Sequence, residues 1–152
     1  MTWKNEADEL IKKRPKHILF LCVANSARSQ MAEGIARLLA SKDIKISSAG
    51  SMPSKVNPYS VKVLEEVGID ITGHKSKSVN DVDSSTVDTV ITLCAEEVCP
   101  VFLGKANRIH WGLTDPATVA GDSQMQLESF RSVRDQLRER LTYLFSNLNE
   151  KK

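Results

Sequence analysis

The chain has 152 residues, with 21 Lys and Arg against 19 Asp and Glu, so its formal net charge is +2 at pH 7. This length suits one domain, and a hydrophobic fraction of 41% excludes wholesale disorder. The near-neutral charge gives no electrostatic case for nucleic-acid binding, and no apolar run approaches the roughly 20 residues of a membrane helix. Three cysteines and a charged N-terminus without a secretory signal predict a cytoplasmic setting, where thiols serve packing or redox chemistry.

Predicted helices and strands alternate along the chain. Apolar spacing predicts helices over 3–13, over about 28–41, from 58 and from 123, with Asn57 and Ser123 as N-caps. A continuously apolar run predicts a buried strand at 17–22, and further strands are predicted at 44–48, 87–93 and 108–111. This order predicts an α/β domain with a parallel sheet over 17–152, preceded by an N-terminal helical extension over 1–16. Because ligands bind at the carboxyl ends of parallel strands, we expect loops 22–28, 94–99 and 114–118 to lie at one edge.

The loop from Cys22 to Arg28 lies between a predicted buried strand and a predicted helix. Backbone N–H groups in that position, and the positive end of the helix, face one concavity, so an oxyanion is the expected ligand. The same field favours the thiolate of Cys22, the candidate nucleophile, and Ser29 is placed to donate a hydrogen bond to it. Arg28 offers a planar fork for two oxygens, and Asn25 tolerates a positive φ. The predicted oxyanion-binding residues are Val23, Ala24, Asn25, Ser26, Ala27 and Arg28.

Each chemical feature of the chain also has a purely structural interpretation. An isolated C-x5-R spacing fits a buried cysteine at a strand end, and here the flanking strand and helix favour the oxyanion loop instead. Cys94 and Cys99 are too far apart for a C-x-x-C motif and too few for a zinc site, so packing and redox roles both stay open for them. Asp115-Pro116 in isolation is a turn initiator.

The segment 18–34, ILFLCVANSARSQMAEG, resembles the first loop and helix of the low-molecular-weight protein tyrosine phosphatase superfamily. Within it, SQMAEG at 29–34 is similar to the thioredoxin-coupled arsenate reductases. The resemblance continues through 47–50, 66–71, 90–94, 111–117 and 130–134, and so covers about 17–148. It implies a four-stranded parallel sheet flanked by helices on both faces, to which the helix at 3–13 is an N-terminal addition.

The resemblance further implies an enzyme that reduces arsenate to arsenite, in arsenical resistance and detoxification. Cys22 would attack arsenate with Asp115 as the acid, and a Cys22–Cys94 disulfide would then give way to a Cys94–Cys99 disulfide. Thioredoxin, glutaredoxin or another thiol would reduce that last pair, with no tightly bound cofactor and with phosphate or sulfate as substrate mimics. Only four residues separate Cys94 from Cys99, a shorter spacer than in the best-known members.

Two alternatives remain, and both use the same loop. A low-molecular-weight phosphatase would need only Cys22, Arg28 and Asp115, but the positions where such phosphatases carry aromatic residues hold Val23, Ala24 and Ala117. A silent oxyanion-binding or redox-sensing domain is the other. No metal site is predicted, because His17, His74 and His110 have no ligand spacing. Asn25 and Glu33 are candidate ligands for a monovalent cation.

Overall fold

The computed structural model describes residues 3–95, 104–118 and 121–150, which form a four-stranded sheet and four α-helices. In chain order these elements are α1 Trp3–Lys13, β1 His17–Cys22, α2 Arg28–Leu39, β2 Lys45–Gly50, α3 Pro58–Glu65, β3 Thr89–Thr92, β4 Asn107–His110 and α4 Ser123–Glu150. Short 3-10 helices lie at Val79–Asp81 and Pro116–Thr118. None of these helices is long and apolar enough to cross a membrane.

The sheet has the order β2-β1-β3-β4, and every pairing in it is parallel, as predicted. All six residues of β1 are buried, which explains why this strand is continuously apolar. Ile18 and Phe20 belong to the main core, which includes residues of all four helices. Leu19 and Leu21 belong to a second cluster, against which Val79 of the short 3-10 helix packs; among the described residues, those that the four α-helices add to the core lie in the main cluster.

The N-terminal helix is part of the main core. Ala7, Leu10 and Ile11 form its buried face, as the apolar spacing predicts, and α1 packs against α4. Tyr143 Oη of α4 also donates a 2.7 Å hydrogen bond to Asp8 Oδ1.

Local capping chemistry sets where the helices begin. Asn57 caps α3 as predicted, because its Oδ1 accepts a hydrogen bond from Tyr59 N at 2.8 Å. The prediction of Ser123 as the cap of α4 is wrong. Asp122 Oδ1 accepts from Met125 N at 2.9 Å instead, so the carboxylate one residue earlier fills the cap position.

Glu66, directly after α3, joins that helix to α4. Its carboxylate contacts Arg131 at 2.6 Å and Arg134 at 2.8 Å. The hydrogen bonds from Arg131, together with those from Arg134, lower the pKa of Glu66 to about 2.

Candidate active site

A pocket of about 270 Å³ lies at the carboxyl edge of the sheet, beyond the end of β1. Both the loop that follows β1 and the Asp-Pro loop contribute to its wall, so the predicted meeting of loops 22–28 and 114–118 is confirmed. Together with Ser29, these two loops contain nine predicted site residues, and seven of the nine contact the pocket. The lining residues are Cys22, Val23, Ala24, Ser26, Ala27, Arg28, Asp115 and Ala117.

Cys22 ends β1 and is a free thiol, with only 2% of its surface exposed. Its Sγ lies 2.8 Å from Ser29 Oγ, the contact predicted from sequence. Ser29 Oγ accepts a 2.7 Å hydrogen bond from Asn25 Nδ2, and a deprotonated Cys22 sulfur can only accept, so the serine hydroxyl is the donor to the thiolate. The network therefore aims a donor at the candidate nucleophile.

Asn25 holds the turn of the loop from within the protein. Its φ is +48°, in the left-handed region, as its residue type predicts. The side chain is fully buried, and its Oδ1 accepts hydrogen bonds from Lys77 N at 2.8 Å and Gln30 Nε2 at 3.0 Å. Asn25 thus supports the loop rather than facing the pocket.

Arg28 is the first residue of α2 and is 3% exposed. Its Nη1 donates hydrogen bonds to Leu113 O at 2.9 Å and to Leu93 O at 3.4 Å, while Nη2 lies 3.7 Å from Asp115 Oδ2. The guanidinium therefore connects three segments: the nucleophile loop, the end of β3 and the Asp-Pro loop.

Asp115 lies in a turn and also faces the pocket. Its Oδ1 accepts a hydrogen bond from Ala117 N at 3.0 Å, and its backbone carbonyl accepts from Thr118 N, as in a turn. Its Oδ2 is the oxygen that faces Arg28. The side chain is 27% exposed, so the turn presents a carboxylate at the pocket wall with access to water.

Cys94 lies two residues beyond β3, on the strand next to that of Cys22. Leu93 N donates to Leu21 O at 2.9 Å, and Leu113 N donates to Leu93 O at 3.0 Å, so the pairing continues up to the cysteine. Cys94 is buried and disulfide-bonded. Cys99, the third predicted site cysteine, lies outside the described residues.

Gly50 is a site residue that the sequence analysis did not identify. It ends β2, and a Cβ built on it would lie 2.3 Å from Val23 O and 2.8 Å from both Asn25 N and Cys22 O. Only a residue without a side chain lets β2 approach the loop so closely. The Ala-Gly pair at the strand end was the available signal.

Glu33 is buried on the inner side of this loop. Ser48 Oγ donates to its Oε1 at 2.5 Å and accepts from Asn25 Nδ2 at 2.9 Å, so Ser48 links the two candidate cation ligands. Lys77 Nζ lies 3.4 Å from Glu33 Oε1, and Arg37 Nε lies 2.9 Å from Oε2. The buried carboxylate is therefore surrounded by cationic groups of this chain.

The three histidines hydrogen-bond neutral side chains, and His74 Nδ1 also lies 3.9 Å from Glu33 Oε2. His17 hydrogen-bonds Thr86 and Ser47, His74 hydrogen-bonds Gln30, and His110 hydrogen-bonds Thr92; burial lowers the pKa of His17 and His74. In the described ranges, no group of three or more His, Cys, Asp or Glu residues is arranged to hold a metal ion.

The sheet is parallel and four-stranded, a C-x5-R loop follows one of its inner strands, and the Asp115 loop lies across the same pocket. These features define a phosphatase-like α/β domain. The sequence model of the low molecular weight phosphotyrosine protein phosphatases matches residues 17–152, and the chain belongs to that family. An arsenate reductase of Bacillus subtilis is 41% identical over 128 residues, which are 83% of this chain and 92% of the relative.

Solved structures give the same result for the fold. One described as an arsenate reductase in the phosphate binding state has a TM-score of 0.75 at 37% identity, and covers 88% of this chain and 98% of its own. Another, an arsenate reductase in the oxidized state, has a TM-score of 0.74 at 36% identity over the same shares of both chains. The predicted fold and family are therefore confirmed.

Proposed function

We propose that this chain is an arsenate reductase that uses Cys22 as nucleophile and Cys94 and Cys99 as a relay. The observation that carries the proposal is that Cys22, Arg28 and Asp115 line one pocket while Cys94 follows the adjacent strand, two residues after its end. Relatives that are about 40% identical to this chain and cover most of it are arsenate reductases, which supports the same chemistry. The residue roles below are part of the proposal.

In the first step, the Cys22 thiolate attacks arsenic(V) of arsenate and forms an S–As bond. The loop N–H groups from 23 to 28 and the Arg28 guanidinium hold the oxyanion, because each is a donor fixed before the ligand arrives. Ser29 stabilises the thiolate through its donor at the sulfur. Asp115 protonates the departing oxygen, which leaves as water.

In the second step, the Cys94 thiol attacks Cys22 Sγ. The electron pair of the S–As bond leaves with arsenic, which departs as arsenite, arsenic(III), and a Cys22–Cys94 disulfide forms. The Cys99 thiol then attacks Cys94 Sγ, which frees Cys22 and leaves a Cys94–Cys99 disulfide. Cys22 would thus be free again while Cys94 is oxidised.

An external dithiol completes the cycle by reducing the Cys94–Cys99 disulfide. Thioredoxin is the proposed donor, with glutaredoxin or another thiol as the alternative. Since each turnover needs reduced thiols, a cytoplasmic location is part of the proposal. Phosphate and sulfate, as tetrahedral oxyanions, are expected to compete with arsenate for the Cys22 loop.

A phosphatase that uses Cys22, Arg28 and Asp115 alone is the second candidate, because the matching family is one of phosphatases. The described pocket lining contains no aromatic side chain, and Val23, Ala24 and Ala117 occupy its wall. Among the described lining residues, a phosphotyrosine ring would therefore find no aromatic side chain on which to stack. This observation favours the reductase.

One coupled assay separates the candidates. Arsenate-dependent NADPH oxidation is measured with thioredoxin and thioredoxin reductase, for the wild type and for Cys94→Ser and Cys99→Ser. Loss of turnover in both variants is expected, with an unchanged dissociation constant for phosphate, measured by isothermal titration calorimetry, as the folding control. Full arsenate turnover in both variants would refute the proposed cysteine relay. Phosphatase turnover on p-nitrophenyl phosphate alone, indifferent to the substitutions, favours the second candidate, and phosphate binding without any turnover favours a silent domain.

A monovalent cation at Asn25 and Glu33 is the remaining candidate ligand. The Lys77 ammonium already lies 3.4 Å from Glu33 Oε1, so an added cation would have to compete with it. We therefore expect equal turnover in potassium chloride and in choline chloride at one ionic strength. A rate that rises with potassium alone would establish the cation site.

A further inference from the structure

The N-terminal helix lies outside the part of the chain that matches the family, yet it contacts the segment that leads into the Asp-Pro loop. We propose that α1 supports the active site. In this proposal Trp3 is a positioning residue: it holds Trp111 in place, and Trp111 holds the segment that leads to Asp115. The kinetic part of this proposal rests on the proposed function, whereas its structural part does not.

Trp3 contacts Trp111 directly, ring against ring. Its ring meets the Trp111 ring edge to face, with centroids 6.2 Å apart and an interplanar angle of 85°. Tyr143 meets the Trp3 ring in the same way at 5.6 Å, and the Arg140 guanidinium lies 5.8 Å from the centroids of both indoles. Edge-to-face and cation–π contacts have a preferred geometry, so they fix the angle of Trp111 as well as burying it.

Trp111 depends on such ring contacts for its position. It is among the largest fully buried side chains, at 1% exposure, and its Nε1 makes no hydrogen bond within the described residues. A buried indole usually has a polar partner that fixes its rotation. Here packing against Trp3 and Arg140 takes that place, so loss of the Trp3 ring would let Trp111 move.

The backbone transmits this position to the site. Trp111 N donates to Thr92 O at 2.8 Å, and two residues later Leu113 O accepts the 2.9 Å hydrogen bond from Arg28 Nη1. Asp115 follows after one further residue and faces the same guanidinium. Trp111 and the buried Leu113 are thus the two core anchors that precede the proposed acid.

Two polar contacts hold α1 along the same segment. Glu6 Oε2 accepts a 3.2 Å hydrogen bond from His110 N, the residue before Trp111, and Lys13 Nζ donates at 3.2 Å to Asn107 Oδ1 at the start of β4. Because β4 is an edge strand, its outer backbone groups are available to α1. The helix therefore follows β4 from end to end and brings Trp3 to Trp111.

The test compares Trp3→Ala with Trp3→Phe, which keeps an aromatic edge. For Trp3→Ala we expect kcat for arsenate to fall about ten-fold, less than the roughly hundred-fold cost of a 1 Å misplacement, with phosphate inhibition unchanged because the Cys22 loop is intact. Trp3→Phe restores kcat. Combined with Asp115→Asn, Trp3→Ala adds no further loss, since both act on one step.

Fluorescence provides a readout that does not depend on activity. The chain has two tryptophans, so Trp111 is the only indole left in either Trp3 variant. Its emission is expected to shift to longer wavelength in Trp3→Ala, as water reaches the ring, and to stay unshifted in Trp3→Phe. An unshifted emission in Trp3→Ala overturns the proposal whatever the chain's activity.

Leu10→Ala is the control for general destabilisation of α1. Leu10 is buried on the same helix face, about 10 Å along the axis from Trp3. The thermal midpoint of both variants is measured, so that their losses of kcat can be compared with their losses of stability. A kcat loss in Leu10→Ala equal to that in Trp3→Ala, or additive losses with Asp115→Asn, would show a merely structural helix and overturn the proposal. A wild type without arsenate turnover contradicts the proposed function instead, and leaves the fluorescence test standing.

Discussion

Gly50→Ala is the substitution that tests most directly whether the geometry of the Cys22 loop is set by β2. The added Cβ would lie 2.3 Å from Val23 O and 2.8 Å from Asn25 N and Cys22 O. All three neighbours are backbone atoms, so no change of rotamer relieves the contact. The loop itself, or the end of β2, must move.

The size of that movement follows from the distances. An ordinary contact between a carbon and its neighbour is about 3.5 Å, so the Val23 carbonyl must withdraw by about 1 Å. A misplacement of this order in a catalytic constellation costs on the order of 100-fold in rate. Overpacking of this kind also destabilises a fold by about 1–3 kcal/mol.

The assay measures kcat for arsenate, the inhibition constant for phosphate and the thermal midpoint of Gly50→Ala. Gly73→Ala is the matched control, because no heavy atom lies within 4 Å of its added Cβ and its φ is not in the left-handed region. We expect the control to behave like the wild type or to gain about 0.4–1 kcal/mol in stability. Phosphate inhibition in Gly50→Ala is expected to weaken together with kcat, because the N–H groups that hold the oxyanion move with the loop.

Unchanged kcat and phosphate inhibition in Gly50→Ala would refute this reasoning. The loop would then be adaptable, and the close approach of β2 would have no part in holding it. A loss of stability without any loss of activity in the folded fraction would lead to the same conclusion.

Three further substitutions test single contacts. Asp115→Asn is expected to lower arsenate turnover by about 100- to 10,000-fold while phosphate inhibition persists, because only the proton donor is removed; turnover within two-fold of wild type would exclude the acid role. Ser29→Ala, made in a Cys94→Ser and Cys99→Ser background, should slow alkylation of Cys22 by iodoacetamide at pH 7, since the donor at the sulfur is lost; an equal rate would contradict this. The pKa of Glu66 is lowered from 4.5 to about 2, so its stabilising effect is present above pH 4.5 and is lost as the pH falls towards 2. In Glu66→Gln, stability followed by circular dichroism should therefore depend less on pH in that range. An unchanged pH dependence would show that the pairs with Arg131 and Arg134 do not contribute to stability.

The sheet and the position of the site were predictable because they depend on local patterns. A strand buried on both faces must be continuously apolar, and His17–Cys22 shows this plainly. A C-x5-R loop between such a strand and a helix leaves few arrangements for its N–H groups. The contact between Cys22 and Ser29 follows from the same short segment.

Contacts between distant parts of the chain were not predictable. Arg28 finds its carbonyl partners at Leu93 and Leu113, which lie 65 and 85 residues further along the chain. Gly50 matters only because the loop of another strand passes over it. The cap of α4 failed for a different reason, because Asp122 and Ser123 are both good cap residues and the pattern does not choose between neighbours.

Sheet geometry also explains why the proposed relay would use neighbouring strands. Leu21 pairs with Thr92, so Cys22 lies opposite Leu93 and Cys94 is one residue further on. With a strand spacing of about 4.8 Å and a rise of about 3.3 Å, the Cα atoms of Cys22 and Cys94 would be about 6 Å apart, a distance that a disulfide spans. Side chains alternate along a strand, however, so Cys94 begins on the face opposite to Cys22. Formation of the proposed Cys22–Cys94 bond would therefore require the chain to turn after Leu93, whose carbonyl oxygen accepts a hydrogen bond from Arg28.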